Sequence, residues 1–400
     1  MAVVGVVCEY NPFHRGHLLH LERCRALAGA DSPVICVMSG DFVQRGEAAL
    51  YDKFVRAEAA CRCGADLLVE LPLPWCLSSA EGFARGGVSL LAALGATHLG
   101  FGSETGDVQA LRELAATLLD PAMTAEIKAL LAREPSLSFA AAREEAVRLR
   151  LGEKALLLRR PNDILAVEYL KAAAELAPGL QPLPVLRQGA DHDGEAAGDG
   201  PCSASSLRRR IRDGQSVAGE IPSPAQELYL RAREEGRELA DPAGLELALL
   251  SRLRMLDRAA FASLPDAGGG LGVRLWRAVQ EEGDLASIAA AAKSKRYALS
   301  RLRRMCLAAA LELRGEDRRG LPPYVRVLAF SPAGRELLGQ REGLCPLPVL
   351  HRPAQARKLP EADCRIVELG AKAHDLYELG LAASARRAPG DDWRSAPIRI

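Results

Sequence analysis

The sequence predicts an α/β protein, with a doubly wound parallel sheet over residues 1–220 and a mostly helical domain over 221–400. Three observations predict it. Short apolar runs alternate with helical patterns through the first two hundred residues. Those runs are apolar throughout, as strands covered on both faces are, and do not alternate with polar residues. Beyond about residue 220 the strand signal largely vanishes, and a Leu/Ala/Arg-rich helical periodicity takes over.

Taken in order, Val3 to Val7 is the first strand, and a helix is expected from Gly16 to Ala28. The run from Val34 to Met38 is the second strand, and a helix from Asp52 to Cys63 leads to a third, Asp66 to Leu71, stopped by Pro72 and Pro74. A helix from Ser79 to Leu94 leads to the strand Thr97 to Gly102. Strand–helix–strand repetition implies parallel pairing through right-handed crossovers. Residues 108–160 read as a helical insertion, Asn162 to Leu176 as one more helix, and Pro184 to Leu186 as a short strand. Gly189 to Gly200 is expected to be a mobile loop, and the Pro222–Ser223–Pro224 stretch marks the domain boundary. Gly268–Gly269–Gly270 follows no strand and reads as a linker, not a phosphate cradle.

Composition excludes several classes. Apolar residues make up 48% and charged residues 26% of 400, ordinary for a globular chain and too apolar for disorder. The net charge of +1 means that any cationic surface must be local. Aromatics at 4% are too few for extensive base stacking on a sheet. Apolar runs stop short of the roughly 20 residues of a membrane span. The start lacks a basic leader and carries Glu9 early, so a strand is expected there and not a secretion signal. The ten cysteines form no CxxC and no Cys/His ladder, which predicts buried thiols in a cytoplasmic protein, with no zinc site or disulfide framework.

Ligands in doubly wound sheets bind beyond the carboxyl ends of the strands. Directly after the first strand stands Glu9–Tyr10–Asn11–Pro12–Phe13–His14–Arg15–Gly16–His17, opening the first helix. A helix start offers free N–H groups and about half a positive charge, a natural phosphate site. Imidazole donors beside it can follow charge that develops as pyrophosphate leaves. Gly16 keeps bulk away from the phosphates, and His20, three residues past His17, can extend the donor set. Such an HxGH element is the signature of the nucleotidylyl-transferase superfamily, and implies a Rossmann-like catalytic domain. Ser203–Ala204–Ser205–Ser206–Leu207–Arg208 opens a later helix, and Ser205, Ser206 and Arg208 are candidate phosphate ligands. Arg209 and Arg210 read as a solvated face. Ser39–Gly40–Asp41 and Gln44–Arg45–Gly46–Glu47 are expected at the rim, where Asp41 serves as a turn residue or acts on an acceptor amine or a metal.

Further segments carry a wider resemblance: Val7 to His20, Met38 to Glu47, Asp66 to Pro72, Phe101 to Glu104, Asn162 to Ala166, Tyr324 to Leu328 and Gly334 to Leu338. In this order they resemble the bacterial tRNA(Met) cytidine acetate ligase family through nearly the whole chain. The resemblance implies ATP-dependent activation of acetate as acetyl-adenylate, then acetylation of the wobble cytidine of elongator tRNA(Met) to N(4)-acetylcytidine. It implies catalytic roles for His14 and His17. It also implies ATP contacts from Val7, Glu9, Tyr10, Asn11, Pro12, Phe13, His14, Gly16, His17, Leu18, His20, Gly102, Asn162 and Arg187. Cys8 and Arg15 depart from the family pattern and inherit no role, and Gln188 to Asp193 follow it loosely. For Asn162 a helix N-cap, and for Gly102 a turn glycine, are the plainer readings. ATP is the co-substrate, with Mg2+ carried on it; no protein-held metal and no protein partner is expected.

An anticodon loop demands local cationic surface. Between Leu285 and Leu311 no acidic residue occurs, while Lys293, Lys295, Arg296, Arg301, Arg303 and Arg304 accumulate around Tyr297. These are the candidate tRNA contacts in the second domain. Two rival functions remain: an adenylyltransferase with a small acceptor, which would ignore acetate and tRNA, and a nucleotide-gated RNA-binding protein without turnover.

Overall fold

The computed structural model describes residues 1–134, 136–187 and 202–400. The expected loop from Gly189 to Gly200, and the Gln188 to Asp193 stretch, lie outside the described residues. The strands are β1 (Val4–Cys8), β2 (Val34–Ser39), β3 (Phe42–Val43), β4 (Glu47–Ala48), β5 (Leu67–Leu71), β6 (His98–Ser103), β7 (Gln181–Leu186), β8 (Val325–Phe330), β9 (Val349–Leu350) and β10 (Ile398–Arg399). The main sheet runs β10-β8-β5-β2-β1-β6-β7, with β9 beside β8, and β3-β4 form a separate hairpin. Within the main sheet pairing is parallel except between β5 and β8, and the β3-β4 hairpin is antiparallel. The result is a mostly parallel mixed sheet with helices around it.

Its central strands, β2 and β5 among them, are buried along nearly their whole length, which is why they read as unbroken apolar runs. β7 holds Pro182 and Pro184 and pairs only with β6. A strand with one unpaired edge tolerates residues that donate no hydrogen bond. The chain passes from β1 to β2 and β5 on one side, then returns to β6 and β7 on the other. The reversal falls between β1 and β6, so the crevice beyond their carboxyl ends is where a ligand belongs.

The first two helices are α1 (Arg15–Ala28) and α2 (Lys53–Arg62). Asp52 and Ser79 cap α2 and the helix Ala80–Ala93, one residue inside the limits expected from sequence. The helices Val108–Leu119, Pro121–Arg133 and Phe139–Leu151 and the 3-10 helix Gly152–Arg159 lie where the polar helical pattern predicts helices. Gly270, in the left-handed conformation, is the N-cap of the helix Leu271–Glu281, so the glycine run is a cap turn.

The second half is mostly helical, as expected, yet it also adds strands to the main sheet: β8 is a fully developed member, antiparallel to β5, and β9 and β10 flank it. The apolar run Val325–Leu328 is wholly buried there. The second helical core, around Leu250, Leu253, Leu275, Leu302 and Tyr377, also takes in Phe42, Leu73 and Leu77 from the first half. All ten cysteines are free thiols, and no helix among the described residues is long and apolar enough to cross a membrane.

Candidate active site

β1 ends in a turn in which Tyr10 takes a left-handed φ of 48°, unusual for a residue with a side chain. The turn is held from several sides. The Tyr10 ring packs edge-on to Phe13 and His17, and Asn11 Oδ1 accepts the Leu50 N–H at 2.9 Å. The Tyr229 hydroxyl accepts the Phe13 N–H at 2.8 Å. Tyr10, Asn11, Pro12 and Phe13 are thereby buried in packing, so any ligand contact they make is through backbone or edge atoms. Val7 packs against Gly87, where a Cβ would stand 2.5 Å from Val7 Cγ2, and Leu18 lies on the core below.

The turn delivers two imidazoles to the start of α1. His14 is the N-cap, and its Nδ1 accepts the Gly16 N–H at 3.0 Å. His17 Nδ1 accepts the His14 N–H at 3.3 Å, which closes a capping box, and the rings lie 3.9 Å apart. A ring nitrogen that accepts a backbone N–H carries no proton. Both imidazoles are therefore fixed as Nε2–H tautomers, with the donor nitrogen turned away from the helix. Burial, then Arg187 and Arg208, lowers His14 to about 3; burial, then His14, His20 and Arg187, holds His17 well below its usual range. At neutral pH the pair is uncharged and donating. His20 lies one turn further along α1, its Nε2 3.6 Å from Cys24 Sγ; burial lowers it to about 4, partly offset by the Phe101 carbonyl.

Positive charge enters from two other elements. Arg208, on the helix Ala204–Arg212, donates to the Asn11 carbonyl at 2.8 Å and sits 3.9 Å from Glu47. Ser206 N–H is capped by Ser203 Oγ at 3.3 Å, and Ser203 and Ser205 hydroxyls are 3.0 Å apart. Arg209 is exposed, and Arg210 is bonded to Ser216 O. Arg187 follows β7, takes the Ser103 carbonyl with its N–H, and donates from its guanidinium to Asn162 Oδ1 at 3.0 Å. Its side chain covers Gly102, where a Cβ would come 3.4 Å from Arg187 Cγ.

Asn162 is not a helix cap. Arg160 occupies that position, and Glu104 caps instead, accepting the N–H groups of Asn162 and Asp163 at 3.1 and 2.8 Å. Glu104 also accepts from Asn162 Nδ2 at 2.6 Å, so the amide is oriented with its oxygen toward Arg187. Glu9 accepts the Gln44 N–H at 2.8 Å; burial raises it, partly offset by Gln44 and Arg208. HxGH, Arg187, Asn162 and Arg208 are therefore brought to one crevice.

Sequence reasoning missed Arg56, which is fully buried on α2 and donates to the carbonyls of Glu9 and Gly40, tying the ends of β1 and β2 together. An arginine inside an apolar helix face was the available signal. Asp41 is committed elsewhere than to an acceptor amine: Oδ1 accepts the Lys53 N–H at 2.7 Å and Oδ2 meets His374 Nδ1 at 2.8 Å.

The cationic stretch splits in two. Arg304 is buried, donates to Gln44 O at 3.1 Å and is lowered by burial to about 10; Arg303 pairs with Glu47 at 2.5 Å; Arg301 donates to Asp266 O and lies over Tyr297. These three lock the β3-β4 hairpin and a neighbouring turn, and Arg304 is no surface contact. Lys293, Lys295 and Arg296 are exposed, with no carboxylate partner among the described residues. Lys295 and Arg296 border a cavity of about 330 Å³ with Gly269, Gly270, Arg274 and Ser294.

The depressed histidines make a prediction about acid. Between about pH 6.5 and 4 the unfolded chain protonates His14, His17 and His20 while the native chain does not. Stability is therefore lost as pH falls through that window, by about 1.4 kcal/mol per pH unit for each histidine. Urea midpoints at pH 7 and 5 measure it, and His20→Gln flattens the slope.

Comparisons with known proteins agree with this geometry. Residues 1–391 match the model of the HIGH Nucleotidyl Transferase family. The chain is similar to the tRNA(Met) cytidine acetate ligase of Syntrophotalea carbinolica, 40% identical over 85% of this chain and 82% of that one. It is similar to the protein of that name from Syntrophomonas wolfei, 34% identical over 100% of this chain and 99% of that one. Thermotoga maritima TmcAL bound with alpha-thio ATP superposes with a TM-score of 0.91 at 31% identity, covering 100% and 99% of the two chains. Its apo form gives 0.93 at the same identity, covering both chains fully.

Proposed function

The chain belongs to the HIGH nucleotidyl transferase family and, within it, to the tRNA(Met) cytidine acetate ligases, and from that premise we propose that it activates acetate with ATP and acetylates the wobble cytidine of elongator tRNA(Met). The observation that carries the reading is the pair of neutral, Nε2–H-donating imidazoles at the start of α1, flanked by Arg187 and Arg208. Binding of alpha-thio ATP by the T. maritima relative supports ATP as the nucleotide held there.

Acetate cannot acylate an amine directly, because oxide would have to leave. An acetate oxygen attacks the α-phosphorus, the bond to the β-phosphate oxygen breaks, and pyrophosphate departs. Alignment and neutralisation of phosphate charge supply most of that rate. His14 and His17 donate to oxygens that gain charge, and being uncharged they remain donors without a change of protonation. Arg208 and Ser205–Ser206 take the leaving phosphates; Arg187, Asn162 and Gly102 bound the nucleoside side. In the second step the cytidine N4 attacks the acetyl carbonyl, AMP leaves, and the N4 proton passes to phosphate or solvent. Water must be excluded while the anhydride exists.

Mg2+ would screen the phosphates. The crevice is a poor fit for a protein-held ion: Glu9 is tied to Gln44 and Glu47 to Arg303 and Arg208.

We assign tRNA contact to Lys293, Lys295 and Arg296. Replacing all three by alanine weakens tRNA binding about tenfold at moderate salt and reduces the salt slope by roughly two to three, with ATP binding unchanged; filter binding across a salt series checks it. The reaction itself is tested by nucleoside mass spectrometry of tRNA(Met) incubated with ATP and labelled acetate. Label in N(4)-acetylcytidine is the expected result; unlabelled cytidine with intact tRNA and ATP binding overturns it.

A further inference from the structure

A second cluster of chemistry-bearing groups lies outside the crevice. The helix Glu361–Glu378 carries His374 and Glu378 one turn apart on one face. Asp391 opens the short helix that follows, Asp391–Arg394. The ligand atoms of these three residues all lie within 4.8 Å of one another.

Two features separate this cluster from an ordinary group of acids. His374 and Glu378 are 2% and 4% exposed, yet among the described residues His374 Nε2 and Glu378 Oε2 have no hydrogen-bond partner. Buried polar atoms are costly to leave unsatisfied, so two of them beside a third carboxylate call for an occupant. The geometry also suits one. His374 Nε2 and Glu378 Oε1 are 3.5 Å apart, too far for a hydrogen bond. Two ligands each about 2.1 Å from one ion at a tetrahedral angle stand roughly 3.4 Å apart. Behind the ring, Asp41 Oδ2 meets Nδ1 at 2.8 Å. A carboxylate on the far nitrogen of an imidazole is the arrangement that orients it and makes it a better ligand.

Neighbouring charges leave the position open. Lys53, which acts on His374, is held by Glu70 at 3.0 Å and Asp392 at 3.1 Å; Arg237, which acts on Asp391, is held by Asp52 at 2.9 Å; and Arg326 approaches Asp392 at 3.7 Å. Burial lowers the His374 imidazole, but Asp41 and Glu378 outweigh it and hold the ring well above its usual range, so an ion that binds at Nε2 does so by displacing a proton. One nitrogen and two carboxylate ligands favour a borderline divalent ion over Mg2+ or Ca2+, which prefer all-oxygen shells.

We propose that His374 Nε2, Glu378 and Asp391 form a binding site for a divalent transition-metal ion, completed by water. The ion clamps the segment that leads into β10 onto the helix Glu361–Glu378. Through Asp41 it also stiffens the end of β2.

The test uses Co2+ on the metal-free full-length chain, because its visible bands report geometry and a near-ultraviolet charge-transfer band reports thiolate ligands. The ten cysteines are the competing ligands. The expected result is one equivalent bound without a thiolate band, a higher melting temperature, and at least tenfold weaker binding in both Glu378→Gln and Asp391→Asn. Circular dichroism of the metal-free variants establishes that they fold. Binding well below one equivalent, a thiolate band, or wild-type affinity in both folded variants overturns the proposal.

Discussion

Replacing His14 and His17 together by asparagine lowers acetate-dependent consumption of ATP by about 10²–10³-fold or more while leaving the chain folded. Asparagine is chosen because its Oδ1 can stand near the position of imidazole Nδ1. It can therefore keep accepting the Gly16 and His14 N–H groups that the two rings now satisfy. What it cannot keep is the Nε2–H donor on the far side of the ring. Alanine would remove cap and donor together, at a cost of about 1 kcal/mol for the cap, and would confuse the two roles. Steady-state rates with thermal melts of both variants check the outcome. The activity of the unaltered chain should also show no acid limb from these groups between pH 5 and 7, because both imidazoles are already neutral there.

Lys53→Met unfolds the protein more effectively than any other single change considered. Lys53 is wholly buried, between Glu70 at 3.0 Å and Asp392 at 3.1 Å. Burial pulls its ammonium down, but Asp392, Glu70 and Asp41 outweigh burial and push it up, so it is charged in the native state. Removing it leaves Glu70 in the interior without its partner and Asp392 with Arg326 alone, which costs about 3–5 kcal/mol. Because Glu70 lies on β5 and Asp392 near the far end of the chain, the loss unpins the terminal segment from the sheet. Equilibrium urea denaturation measures it. Adding Glu70→Gln and Asp392→Asn should restore part of the loss, since no unpaired charge then remains.

The candidate site was legible because its parts are local. A buried strand, an HxGH turn and a helix occupy consecutive residues, and parallel sheets place ligands at their reversal of strand order. The Ser–Arg helix start was legible for the same reason, following a loop, whereas Arg187 was singled out by the family resemblance. What escaped was non-local. β8 is antiparallel to β5 across more than 250 residues, and its apolar run gave no clue to that neighbour. Arg303 and Arg304 looked like surface cations because nothing nearby in sequence is acidic, yet Glu47 and the Gln44 carbonyl claim them from the other half of the chain. Asp41 looked available, and only the fold brings His374 to it. The cap reading weighed for Asn162 does not hold, because the carboxylate that serves there, Glu104, lies 58 residues earlier.

Exchange of labelled pyrophosphate into ATP tests the central claim most directly, because it isolates attack of the carboxylate on the α-phosphorus from everything that follows. With tRNA present or absent, exchange should depend on acetate and should disappear in the chain carrying asparagine at positions 14 and 17. Exchange that ignores acetate, or that survives the loss of both imidazoles in a folded protein, would contradict it.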